Sequence, residues 1–182
     1  MVVYGYSRLV GYTPSYELEP DLLRKIEVEE GRRFTLHLRK GHKWSDGHPF
    51  TSEDFRYFWE DIANNKDLAP FGPPGVLLVE GATPKVEFLD ELTVRYTWDQ
   101  PNPYFLPALA GARPEVIFAP AHYLKAFHSR YADPTKLAVL VKSEGRRNWA
   151  SVHIARFRPY KNINRNLPSL QPWIIRTRPP SQ

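Results

Sequence analysis

Six histidines, His37, His42, His48, His122, His128 and His153, are the side chains best suited to hold a metal or carry a proton near neutral pH. No two stand four residues apart, no His-Glu-x-x-His run occurs, and the chain has no Cys. The helical spacing that aims two imidazoles at one ion is therefore missing, and surface or strand-facing rings are the simpler expectation. The adjacent acids Glu53/Asp54 and Glu60/Asp61 project from different faces of a helix. That suits capping or solvation better than a paired general acid and base. Neither a Gly-x-Ser-x-Gly run nor a glycine-rich phosphate loop is present. The expectation is a protein that is not an enzyme, with no catalytic residue, no metal and no cofactor.

Clustered positive charge is the other candidate chemistry. Residues 1–112 carry 12 basic and 17 acidic side chains, net −5, whereas residues 113–182 carry 13 basic and 3 acidic, net +10. Such asymmetry attracts nucleic acid or anionic surfaces, although a solvated basic face or a tail packed elsewhere explains it too. The run Arg156-Phe157-Arg158-Pro159-Tyr160-Lys161 interleaves rings with cations, as single-strand platforms do. It lacks strand alternation, so an amphipathic connection whose stems lie over apolar surface is the simpler reading. A basic module binding nucleic acid or an anionic partner through residues 113–182 stands as the alternative function, with nucleic acid the less favoured partner.

The elements that must position these residues come from a chain of 182 residues, 42% hydrophobic and 14% aromatic, which is apolar enough for one folded core. The longest apolar runs, such as residues 75–79, fall far short of the roughly 20 residues that cross a bilayer, so no segment spans a membrane. Residues 1–8 show no basic stretch leading into an apolar one, hence no signal peptide in the sequence as it stands; either the protein is cytosolic or its start is missing.

Residues 33–39 alternate, with Phe34, Leu36 and Leu38 on one face and Thr35, His37 and Arg39 on the other, which predicts a half-buried strand. Val86–Leu89 and Thr93–Trp98 flank the polar turn Asp90-Glu91 and read as an antiparallel hairpin, so the sheet needs at least three strands. Thr51, followed by Glu53 and Asp54, caps a helix whose Phe55, Phe58, Trp59 and Ile62 form one apolar stripe ending near Asn64-Asn65. A breaker-rich loop follows at Pro70–Gly75. Prolines at 101, 103 and 120 open short helices, Asp133-Pro134 another, and beyond Trp149 the pattern loosens toward a weakly ordered end.

The most informative stretch joins that first strand to that first helix. Gly41 turns the chain, Trp44 plugs into the core, Asp46 and Gly47 make a tight turn, and Thr51 and Asp54 start the helix. Scaffolding is the role these residues suit. This stretch, Leu36-His37-Leu38-Arg39-Lys40-Gly41-His42-Lys43-Trp44-Ser45-Asp46-Gly47 followed by Pro49-Phe50-Thr51 and Glu53-Asp54-Phe55, resembles the signature of the family 5 extracellular solute-binding proteins, the peptide- and nickel-type receptors of ABC importers. Glu19-Pro20-Asp21-Leu22 before it, and Asp90–Val94 and Gln100–Phe105 after it, match in order and spacing. The likeness covers about residues 4–131 and resumes near Leu167–Trp173.

The resemblance implies an α+β fold, an antiparallel sheet with packed helices like the small subdomain of the first lobe of a type II periplasmic binding protein. It implies residues 1–137 as that subdomain and 138–182 as a basic, poorly matching connection and tail. Family members are longer, export-directed and two-lobed, so the chain reads as an internal fragment of a periplasmic receptor. Its partners would be a peptide or similar solute and an ABC permease, and it would not bind solute well alone. Two rings are the ligand-binding candidates carried over, Phe71 in the loop after the long helix and Tyr104 in a second aromatic loop, although local core is the simpler place for both.

Overall fold

A computed structural model describes residues 7–111, 114–159 and 164–171. A short hairpin, β1 (Val10–Tyr12) and β2 (Leu18–Pro20), precedes strands β3 (Leu23–Glu29) and β4 (Arg33–Leu38). The predicted hairpin follows later as β5 (Lys85–Asp90) and β6 (Thr93–Thr97). These last four strands form one antiparallel sheet in the order β3-β4-β6-β5. Strand β3, which the sequence reading passed over, alternates over Lys25-Ile26-Glu27-Val28-Glu29, and its Ile26 and Val28 lie opposite Leu36 and Phe34.

Register is set by burial. Phe34 pairs with Tyr96 and Leu36 with Val94, and all four are buried, so a slip of one residue would turn the apolar set to solvent. The other face is less open than alternation suggests. Thr35 is 2% exposed, because the long side chain of Arg95 opposite closes over it and donates Nε–H to its Oγ1 at 3.1 Å.

Helix α1 (Ser52–Arg56) begins as predicted. Thr51 Oγ1 accepts from the Glu53 backbone N–H at 3.3 Å, and the Thr51 N–H donates to the Asp54 carboxylate at 3.1 Å. From Tyr57 to Ala63 the helix widens into a π-helical segment. The extra residue per turn redistributes the apolar stripe: Tyr57, Asp61 and Ala63 are buried beside Phe55 and Phe58, while Trp59 and Ile62 are only partly so.

The remaining helices are α2 (Phe105–Ala110), α3 (Ala121–Leu124) with a 3-10 turn over Lys125–Phe127, α4 (Pro134–Ser143) and α5 (Trp149–Arg156). Helix α4 runs across position 137, where a boundary was expected. Helix α5 corrects the expectation of loosening structure. Asn148 caps it, accepting from the Ser151 N–H at 3.0 Å, and Ala150, Val152 and His153 are buried. The chain then returns to the signature loop, where the Ser45 N–H donates to the Ser169 carbonyl at 2.9 Å and the Ser169 N–H to Ser45 Oγ at 3.0 Å. Tyr160, Lys161 and the end from Pro172 onward lie outside the described residues.

Candidate functional site

The signature loop folds into a buried polar knot. Trp44, 5% exposed, donates its Nε1–H to Asp54 Oδ2 at 3.1 Å and meets Phe50 edge-on. Asp54 also accepts from the backbone N–H groups of Thr51, at 3.1 Å, and of Ala121 at the start of α3, at 3.1 Å. One carboxylate therefore ties the loop, the start of α1 and the start of α3 together. Burial pushes its carboxyl above the ordinary range, and these donors oppose that push. Asp54 caps the helix as expected, completing the box with Thr51, and is in addition a buried junction of three elements.

Asp46 and Gly47 form the tight turn as predicted. The His48 N–H donates to Asp46 Oδ1 at 3.1 Å, and Gly47 has φ of 91°, a conformation costly for any residue with a Cβ. Asp46 Oδ2 lies 2.8 Å from His122 Nε2, and the His48 ring stacks on His122 with centroids 3.9 Å apart. Partial burial raises the Asp46 carboxyl, but the bonds from His122 and the His48 backbone outweigh it and hold it below the ordinary range.

The two candidate ligand-binding rings lie elsewhere, and neither is local core. Phe71 is 99% exposed and Tyr104 75% exposed. The Gly72 N–H closes the Phe71 turn onto the Ala69 carbonyl at 3.0 Å. The two ring-bearing loops are stitched to each other: Asn102 Nδ2–H donates to the Val76 carbonyl at 2.9 Å, and Trp98 Nε1–H donates to the Leu77 carbonyl at 3.0 Å. Asn102, 3% exposed, also accepts from the Tyr104 N–H at 3.3 Å, so it sets the second ring's loop. Sequence reasoning passed over Asn102; an Asn between two prolines, able to fold back onto the backbone two residues on, was the available signal. Neither residues 68–79 nor residues 100–112 contain a charged side chain. The rings' neighbours along the chain are therefore neutral.

Other candidates resolve into structure. Asp61, expected to be solvated, is 2% exposed and is held by Tyr131 Oη–H at 2.7 Å and Arg130 Nη1 at 3.1 Å. His128 and His153 are buried rather than surface rings. Among the described residues no cluster of three His, Cys, Asp or Glu side chains could hold a metal ion. Several cations of the basic half are engaged in pairs: Lys125 with Glu53, Arg130 with Asp61, and Arg146 and Arg156 with Glu144. Lys136, Lys142, Arg147, Arg158 and Arg165 are exposed.

Comparison with known proteins agrees with this architecture. The family of bacterial extracellular solute-binding proteins, family 5 Middle, matches residues 17–155, past the boundary expected at 137. A periplasmic alpha-galactoside-binding protein of Rhizobium meliloti is 36% identical over 111 residues, 59% of this chain and 15% of that protein. The periplasmic oligopeptide-binding protein OppA of Salmonella typhimurium is 29% identical over 130 residues, 65% of this chain and 24% of that protein. A solved oligopeptide-binding protein OppA superposes on 98% of this chain and 27% of its own with a TM-score of 0.79 at 32% identity. The periplasmic binding protein MelB of Agrobacterium fabrum, solved with stachyose, does so over 98% and 25% with a TM-score of 0.67 at 25% identity. The chain thus spans between 15% and 27% of the length of these relatives. Among the described residues no helix is long and apolar enough to cross a membrane.

Proposed function

The chain belongs to the family 5 bacterial extracellular solute-binding proteins, and from that premise we propose that it serves as the small α+β subdomain of a receptor that captures a peptide or similar solute outside the cytoplasmic membrane for an ABC permease. Phe71 and Tyr104 are its contribution to solute contact. The observation that carries this reading is the exposure of both rings on two loops tied together by Asn102 and Trp98. An exposed ring can stack on a peptide side chain, a peptide plane or a sugar face without needing charge.

In such a receptor the solute bridges two lobes only when they close about a hinge, so binding shifts a population of open and closed forms. This chain offers one side of that cleft at most. Calorimetric titration of the chain with short peptides and with neutral oligosaccharides is expected to give no dissociation constant at or below the micromolar range. Micromolar binding by the chain alone would overturn the requirement for a second lobe.

A further inference from the structure

Two buried histidines join α5 to the rest of the molecule, and the charged ring is disfavoured at both, at His128 by a donor aimed at its bare nitrogen and at His153 by burial. The Arg130 backbone N–H donates to His128 Nδ1 at 3.1 Å, so that nitrogen carries no proton and Nε2–H donates to the Asp61 carbonyl at 3.1 Å. A second proton on His128 would set two donors against each other at Nδ1. His153, on α5, is 1% exposed and places Nε2 2.8 Å from the Tyr57 hydroxyl of the π-helical segment. The two imidazoles face edge to plane with centroids 5.7 Å apart, and Trp149 of α5 packs on His128 at 4.6 Å.

The charged and titratable groups around this pair do not offset a new positive charge. From the helix and the loop after it, Tyr57, Asp61 and Asp67 face the rings, and from the segment after the 3-10 turn, Arg130 and Tyr131 do. Asp61 is the nearest acid, but its carboxylate is already taken by Arg130 and Tyr131, with Arg56 at 3.9 Å. Helices α4 and α5 bring cations, and their Glu144 is paired with Arg146 and Arg156.

We propose that His128 and His153 form a proton-sensitive latch that docks the helical pair α4–α5 onto the body of the protein, and that acidification releases the pair while the four-stranded sheet stays folded. Burial lowers the basicity of both rings, His153 to about 3, with the two imidazoles also opposing each other's protonation at His153. The docked rings stay neutral where free imidazole, with a pKa of about 6.5, takes a proton, so a proton is gained on opening and opening is favoured as pH falls.

Hydrogen exchange of the full chain, corrected for intrinsic rates, tests this. Between pH 7.5 and pH 5.5 a histidine that stays neutral while docked raises the opening constant about tenfold, so His153 alone supplies about that factor and His128, whose basicity is also lowered, adds to it. The amides of α4 and α5 are expected to lose protection at least about tenfold, while those of β4 and β6 keep theirs. The double variant His128→Gln/His153→Gln should abolish the response. Unchanged protection, equal loss in sheet and helices, or a response persisting in the double variant each overturn the latch. Should that variant not fold, imidazole titration by NMR in the unaltered chain decides. Both rings are expected to resist protonation until the helices open, and a ring titrating near 6.5 with α5 still protected contradicts the proposal.

Discussion

The knot at Trp44 and Asp54 and the rings at Phe71 and Tyr104 belong to one chain but answer opposite demands. In the knot every polar atom named above has a partner and nearly all of it is buried; at the rings large apolar surface stands in water. The residues that make the sequence most distinctive are buried in the scaffold, and the rings proposed to meet a solute sit in loops whose composition is plain. A recognisable motif marks what the fold cannot do without, which is not always where it acts.

That contrast can be broken from the knot side first. Replacing Asp54 with Ala leaves the Trp44, Thr51 and Ala121 N–H groups facing a cavity, and denaturant unfolding is expected to show a loss of about 3–5 kcal/mol. Trp44→Phe keeps the ring but deletes the Nε1–H donor to Asp54, for a loss of about 1–3 kcal/mol by the same measurement. Thr51→Ala removes the helix cap and should cost about 1 kcal/mol. From the ring side, Phe71→Ala and Tyr104→Ala should each change stability by no more than about 0.5 kcal/mol, since neither ring is buried. A stability loss at Phe71 as large as that at Thr51 would erase the distinction between the two regions.

Much of the fold was legible because period and punctuation agree over short stretches. The alternation at Phe34, Leu36 and Leu38, the turn at Asp90-Glu91, the Thr51 cap and the helix-opening prolines all lie where the sequence puts them. Most of what was missed depends on distant partners. The π-helical segment, which carries Tyr57 and Asp61 inward, has no local signal. Asp61 reads as solvated until Arg130 and Tyr131, about 70 positions later, close over it. Helix α5 is short and mixed in character, and its burial rests on His128 and Tyr57. The motif positions Trp44, Asp46, Gly47, Thr51 and Asp54 were readable as structure from the sequence. The exposure of Phe71 and Tyr104 was not, because an aromatic ring beside prolines looks the same in a core as on a surface.

The most direct test places residues 17–155 of this chain in a two-lobed receptor of the family in place of the corresponding segment, and measures solute affinity by calorimetry alongside thermal stability. Phe71→Ala with Tyr104→Ala is expected to weaken binding at least about tenfold, equivalent to about 1.4 kcal/mol, with an unchanged melting temperature. Unchanged affinity in the double variant, with the receptor still folded and binding, would contradict the assignment of these rings to solute contact.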